Sequence, residues 1–486
     1  MDRREFLRGT AWMGAVAMAA GCRSNDMSLG SGAGGSMHGF AVKPMDRIRV
    51  GVIGLGTRGA DAARRLSTVP GVDVVAICDL RQKCIDRTLK LIAKNGKPAP
   101  RTYSGDEGWK RLAESPDVDV AYIVTDWKNH APMSVYAMER GKHAFMEVPA
   151  GVTEDECWQL VETAERTRRH CMMLENCNYG ETEMLALNLC KSGVLGELVH
   201  AECAYIHDLR VKSYSSNDNG YYDHWRLRFN SAHKGNAYPT HGLGPVCWYM
   251  DVNRGDRLDY LVSLESNPVN CQAYARAALG EPENEWKRNL PMEMGDMNTT
   301  LVKTVKGRSI MIQHDVSSPR PYTRINLVTG TKGAFWGMPW RVGSQDQWRI
   351  ALEKKPGSGA HEWKGASEAA EILEKYTHPM WKAAGDIARM AGGHGGKDFM
   401  MDLRWAYCLQ NGLPLDIDVY DSATWSVIRD LSERSVRSGS MPQKIPDFTR
   451  GGWKTAKPIG DMSVDIAKLH LSDEERALLS RQKSSF

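Results

Sequence analysis

The sequence predicts an α/β protein: an N-terminal doubly wound parallel sheet, then a second α+β domain with a largely antiparallel sheet. Three observations predict it. Short β-branched runs alternate with helical stretches over the first third of the 486 residues, and a glycine-rich turn joins the first strand to the first helix. Beyond about residue 166 the texture changes to longer alternating strands and polar, aromatic stretches. A chain of this length, 42% hydrophobic and 25% charged, suits a globular protein of more than one domain.

Taken in order, residues 48–53 (IRVGVI) form a β-branched strand, 59–66 have helical composition, and 72–78 form a second apolar strand, which gives a β-α-β unit. Residues 118–124 (VDVAYIV) read as a buried strand, 130–141 as a helix closed by glycine, and 142–147 as a further strand. These elements define a first domain over 46–166. In the second domain, 167–486, residues 198–206 alternate as a strand. A polar and aromatic stretch then runs to Tyr238, and 258–264 and 309–314 are strand-like. Ser472-Asp473-Glu474-Glu475 forms a capping pattern ahead of a C-terminal helical tail.

The N-terminus differs from both domains. Arg3-Arg4 within Asp2 to Arg8, followed by the short apolar run 11–20, reads as a twin-arginine export signal over 1–22, because the run is too short to span a bilayer. Ala19-Ala20-Gly21-Cys22 stands where a lipobox would, so Cys22 is a candidate lipid anchor to a membrane and the expected location is periplasmic or at the cell envelope. The Gly/Ser-rich stretch after it makes 23–45 a flexible tether.

A net charge of +4, from 63 basic and 59 acidic residues without a long basic run, argues against nucleic acid as a partner. Eleven cysteines without a CxxC pair or ligand spacing indicate neither a zinc site nor a disulfide framework, so no metal is expected. Fifteen Trp and sixteen Tyr against eight Phe favour rings that stack on a sugar and hydrogen-bond at their edges.

Gly54-Leu55-Gly56-Thr57-Arg58-Gly59 is a G-x-G-x-x-G placed directly after a strand and at the start of a helix. Gly54 permits the tight turn, Gly56 lets the backbone approach a pyrophosphate, and Gly59 allows close helix–strand packing. The next strand ends in Asp79, about twenty residues on, where a carboxylate accepts from ribose hydroxyls and repels a 2′-phosphate. This is a Rossmann dinucleotide site, and it favours NAD.

With that loop, Trp127-Lys128-Asn129-His130 and Glu147-Val148-Pro149-Ala150, the chain resembles the Gfo/Idh/MocA oxidoreductase superfamily. That superfamily usually carries Glu-Lys-Pro at the last block, the lysine serving dehydrogenation, and here Val148 replaces it, so a plain sugar dehydrogenase is disfavoured. In the second domain Ala204 to Arg210, His224-Trp225-Arg226, Tyr238-Pro239-Thr240-His241, Arg320-Pro321-Tyr322 and Gly392 to Phe399 resemble glycoside hydrolase family 109. The resemblance implies an NAD-dependent α-N-acetylgalactosaminidase acting on glycans. It implies that Thr57, Arg58, Asp79, Trp127, His130, Glu147, Val148 and Asn176 line the cofactor, and that Tyr205, Arg226, Tyr238 and Tyr322 hold the sugar.

The chemistry so implied oxidises sugar C3, eliminates across C1 and C2, adds water and returns the hydride. Histidine titrates near neutral pH, so His241 is assigned to the C3 hydroxyl proton; Tyr238 or Tyr179, with a pKa lowered by a nearby cation, is assigned to the C2 proton. Export supports a cycle that ends with its cofactor as it began, since little NAD exists outside the cytoplasm to replace what is released. Two other readings stay open: an exported sugar oxidoreductase, and a sugar-binding lipoprotein without catalysis. The sequence is compatible with an oligomer and does not set its size.

Overall fold

The computed structural model of the protein describes residues 35–465 and 468, apart from 219, 281, 338–347 and 356. The twin-arginine signature, Cys22 and the capping pattern at Ser472 lie outside the described residues.

The first sheet has six parallel strands, β1 (Ile48–Ile53), β2 (Val72–Cys78), β3 (Arg101–Tyr103), β4 (Val120–Ile123), β5 (His143–Met146) and β6 (Cys171–Met173), in the order β3-β2-β1-β4-β5-β6. β4, beside the centre, is an unbroken apolar run, and all four residues of β4 and of β5 are buried, as expected where helices cover both faces. The order reverses between β1 and β4. Gly54, Asp79, Trp127 and Glu147 therefore all emerge at the C-terminal edge around that switch point, where ligands of such sheets bind.

Two expected boundaries move. The sheet does not end at residue 166, because β6 lies beyond it and pairs with β5. Nor is the second domain separate: the helix Lys397–Gln410, buried at all its positions, returns to pack against the first sheet. Asp402 on that helix meets Arg65 Nε at 2.7 Å and the Tyr122 hydroxyl at 3.1 Å, an ion pair removed from water on both sides.

The expected tether over 23–45 is not a tether in its described part, 35–45. Residues 35–45 are bound to the domain because they carry apolar side chains among the glycines: Met37 is buried and its N–H donates to the Tyr420 hydroxyl at 3.0 Å. Phe40 packs on His170 and beneath Arg168.

The second sheet has nine strands, β7 (Leu198–Ile206), β8 (Leu258–Glu265), β9 (Asn298–Thr304), β10 (Ser309–Asp315), β11 (Leu327–Gly330), β12 (Gly333–Gly337), β13 (Trp348–Leu352), β14 (Lys364–Gly365) and β15 (Gln443–Lys444). Its order is β14-β13-β12-β11-β7-β10-β9-β8-β15, and every pairing is antiparallel except β10 with β7. The helix Thr240–Tyr249, almost wholly buried, packs on β7 and on the short helix Asn176–Tyr179 that follows the first sheet. That packing brings the two domains' functional residues together. Among the described residues no helix is long and apolar enough to cross a membrane.

Candidate active site

The nucleotide groove is built from backbone. Gly54 sits at φ +88°, a conformation that favours glycine, and a Cβ on Gly59 would lie 1.8 Å from the Gly54 carbonyl oxygen. At Gly56, by contrast, a Cβ would meet no protein atom within 4 Å, so the chain presents bare backbone to the space in front of the helix Thr57–Leu66. That helix has no side-chain cap, and its first N–H groups are left to a ligand. Asp79 accepts from the Leu55 N–H at 2.7 Å and the Arg81 N–H at 2.8 Å, which fixes its carboxylate beside the loop. These features fit the pyrophosphate and ribose of a dinucleotide.

Other residues assigned to the groove hold its walls. Arg58 donates to Glu147 at 2.6 Å and to Asp398 at 2.5 Å, tying the glycine loop to β5 and to the helix Lys397–Gln410. Asp398 also accepts from Asn176 Nδ2 and lies 2.8 Å from His394; although burial opposes it, the Arg58 charge, with the His394 hydrogen bond and Arg65, holds its carboxyl well below the usual range. His130 has its two ring nitrogens 2.7 Å from the Pro149 carbonyl and 3.1 Å from that of Thr125, so it joins the two loops that carry Trp127 and Val148. Thr57 is exposed at the rim and donates to the Asp218 carbonyl.

Beside the groove lies a chamber of aromatic rings. Trp127 stacks on Tyr238 at 5.6 Å between ring centres, Tyr238 meets Tyr205 at 4.6 Å, and Tyr322 stands edge-on to Tyr205 at 6.1 Å. Arg226, 5% exposed and without a carboxylate partner, lies over Trp127 at 4.8 Å and Tyr238 at 5.0 Å; its Nε and Nη2 donors find no partner among the described residues. The structure thus gathers Tyr205, Arg226, Tyr238, His241 and Tyr322 at one place.

His241 stands at the junction. Its Nδ1 lies 2.7 and 2.9 Å from the two oxygens of buried Glu175, and its Nε2 lies 3.5 Å from the Tyr238 hydroxyl. Burial alone would lower its pKa, but Cys177 and Glu175 outweigh that and push it up to about 10, while the same pairing holds Glu175 below the usual range against its own burial. Donor atoms of Glu175, Cys177 and His241 all lie within 4.8 Å of one another; the carboxylate is committed to the imidazole, and the sulfur accepts from Lys397.

The glycosyl hydrolase 109 C-terminal domain family matches residues 179–455, and the NAD-binding Rossmann domain of the Gfo/Idh/MocA oxidoreductase family matches 48–175. A glycosyl hydrolase family 109 protein of Shewanella pealeana is 44% identical over 95% of this chain and 99% of its own. The chain belongs to glycosyl hydrolase family 109. It is a glycoside hydrolase with an NAD-binding Rossmann domain. A further relative in this family, 43% identical over 95% of this chain and 98% of its own, is the α-N-acetylgalactosaminidase of Shewanella oneidensis. Among solved structures, levoglucosan dehydrogenase in complex with NADH and levoglucosan shares the fold (TM-score 0.61, 16% identity, covering 82% of this chain and all of that one). An oxidoreductase domain protein from Kribbella flavida does so too (TM-score 0.63, 16% identity, 83% of this chain and all of that one).

Within the family 109 site two tyrosine assignments change. Tyr179 is not in the chamber: its hydroxyl lies 3.4 Å from Asp416, its carbonyl accepts from Trp381 at 3.0 Å, and burial and Asp416 raise its pKa well above the ordinary value. Tyr238 is in the chamber but is no phenolate; burial, Tyr205 and the Glu147 and Glu175 carboxylates raise its pKa well above the ordinary value, against a smaller lowering by Arg226. The residues that sequence reasoning missed are the partners, Glu175 and Asp398. Asp398 stands in the block quoted for the family, whereas Glu175 precedes Asn176 with no spacing to mark it.

Proposed function

We propose that this family 109 chain hydrolyses terminal α-N-acetylgalactosaminides of glycans by transient oxidation of the sugar, and that it keeps its NAD through turnover. The observation that carries the reading is the pairing of buried Glu175 with half-buried His241 beside the tyrosine-lined chamber. The name of the Shewanella oneidensis relative supports the sugar. Val148 in place of a lysine supports a cycle other than plain dehydrogenation.

NAD, held by the glycine loop and Asp79, would supply the acceptor for a hydride from sugar C3 and the hydride given back at the end. The rest falls to the chain. His241, oriented by Glu175 through Nδ1, offers Nε2 to the C3 hydroxyl proton, and the pair spreads the resulting charge. With a ketone at C3, the C2 proton passes to a water molecule, the C2–H electron pair forms the C1–C2 double bond, and the C1–oxygen bond breaks, its oxygen leaving with a proton from solvent; water then adds its hydroxyl to C1 and a proton to C2. Neither tyrosine serves as the C2 base. Tyr238 acts instead as a neutral hydroxyl that orients the sugar, and the free donors of Arg226 suit a sugar hydroxyl or the acetamido carbonyl. We place this cycle outside the cytoplasm, on the twin-arginine signature, with Cys22 as anchor.

The test is to incubate the purified protein, without added NAD, with p-nitrophenyl α-N-acetylgalactosaminide in deuterated water. Aglycone release with deuterium at C2 is expected. Release without deuterium would remove the elimination route, and no release from a panel of aryl glycosides would leave an oxidoreductase or a binding protein.

A further inference from the structure

Lys397 is a costly residue where it stands. It opens the helix Lys397–Gln410, so its positive charge lies at the positive end of the helix dipole. It is buried, at 8% exposure, and no carboxylate lies within ion-pairing distance of it among the described residues; the nearby Glu183 is committed to Arg324. Among the described residues its Nζ makes one hydrogen bond, to Cys177 Sγ at 3.3 Å, which leaves two of its three donors without a partner there. Burial and the neighbouring Arg324 both act against its charge, yet Cys177, Tyr322 and Glu183 keep the ammonium protonated. A hydrocarbon side chain of the same length would remove all these costs.

The placement has a counterpart in the sequence. Val148, where the superfamily carries lysine, is an apolar residue at 2% exposure, so the first domain contributes no lysine there. Lys397 reaches the chamber from the second domain: it touches Cys177, whose sulfur lies among the donor atoms of Glu175 and His241, and it neighbours Tyr322. We propose that Lys397 is a second cation of the reaction chamber beside Arg226, replacing from the second domain the lysine absent at Val148 and directing its free donors to the oxygen on sugar C3. That oxygen becomes negative as its proton passes to His241 and again as the C2 proton leaves and the C1–oxygen bond breaks; Lys397 stabilises this charge and exchanges no proton. This assignment rests on the redox reading of the site.

The experiment compares Lys397→Met, Lys397→Arg and the double variant Lys397→Met with Val148→Lys, each purified with its own cofactor. In Lys397→Met, kcat on the aryl glycoside is expected to fall about a hundredfold, in the range found for loss of one oxyanion donor. KM should change by no more than about threefold, the NAD complement should stay full, and Tm should rise because a buried unpaired charge is gone. Lys397→Arg and the double variant should each recover about tenfold of the loss, the magnitude to look for if charge and not shape is what matters. A kcat for Lys397→Met equal to that of the parent overturns the proposal, and so does a fall in its Tm, which would mark a structural lysine. If the parent releases no aglycone, the redox reading fails separately, and reduction of the bound nicotinamide by the sugar, followed by its absorbance, still reads the effect of Lys397.

Discussion

The nucleotide groove and the sugar chamber, which share a wall at Trp127 and Glu147, recognise their ligands by different means. In the groove the backbone does it: three glycines within six residues set a turn, an open face and a close approach, with one carboxylate 24 residues beyond Leu55 to hold the loop. In the chamber side chains do it, and they come from strand, helix and loop positions spread over residues 127–397. The difference teaches where each region is vulnerable. The groove fails when atoms are added to it, and the chamber fails when a partner is taken away.

The largest effect expected is in the chamber. His241→Ala should lower kcat by about 10²–10⁴, the usual contribution of a positioned acid–base group, with bound NAD unchanged in a stoichiometry assay. Glu175→Gln should lower it nearly as far, because it leaves His241 without the anion that orients it and sustains its charge. A Glu175→Gln enzyme with full kcat would break the contrast, since the chamber would then not depend on its pairing.

The same pair sets the pH dependence. His241 must be unprotonated to accept a proton, and its pKa is raised to about 10, so kcat/KM is expected to climb with pH into the alkaline range. In Glu175→Gln the rise should move toward the ordinary histidine value near 6.5. Stability runs the other way. A histidine whose folded pKa exceeds its unfolded one gives stability that is complete below about 6.5 and lost as pH rises toward 10. Urea titrations at neutral and alkaline pH should therefore show the protein weakening where its activity climbs.

The groove makes the opposite prediction from two of its glycines. Gly59→Ala drives a Cβ into the Gly54 carbonyl and should cost about 1–3 kcal/mol of stability, read as a lower Tm. Gly56→Ala adds a Cβ that meets no protein atom within 4 Å and should keep its Tm yet be purified with less NAD, since the added atom enters the space that a pyrophosphate needs. Equal loss of stability in the two variants would show that the open face of Gly56 is a packing feature.

That contrast also explains what was legible in the sequence. The glycine loop could be read because its geometry is local: strand, turn and helix lie within twenty residues, and β1 and β2 fall at the positions their patterns predict. The gathering of Tyr205, Arg226, Tyr238, His241 and Tyr322 followed from resemblance, and the structure shows the packing that achieves it. Glu175 was not legible, because its meaning is its distance from His241, 66 positions along the chain. The return of Lys397–Gln410 to the first sheet was hidden for the same reason, since no periodicity within a helix says which sheet it covers. The place of Tyr179 was hidden too, because Asp416 and Trp248, which hold its hydroxyl and ring in the core, lie far along the chain.

Tyr179 gives the smallest and most discriminating effect. Its hydroxyl leans on Asp416, which is already held by Arg404 at 2.9 Å through each oxygen, so the tyrosine's hydrogen bond is an accessory to an ion pair that stands without it. Tyr179→Phe keeps the ring that packs edge-on against Trp248 and loses one bond at the long end of the range. The expected cost is about 0.5–1.5 kcal/mol of stability with kcat on the aryl glycoside unchanged, measured alongside Tyr238→Phe. Tyr238→Phe should instead raise KM or lower kcat, because its hydroxyl faces His241 Nε2 inside the chamber. If Tyr179→Phe lost activity as His241→Ala does, the hydroxyl would have to turn from Asp416 toward the sugar during the reaction, and the boundary drawn here between the chamber and the core behind it would be in the wrong place.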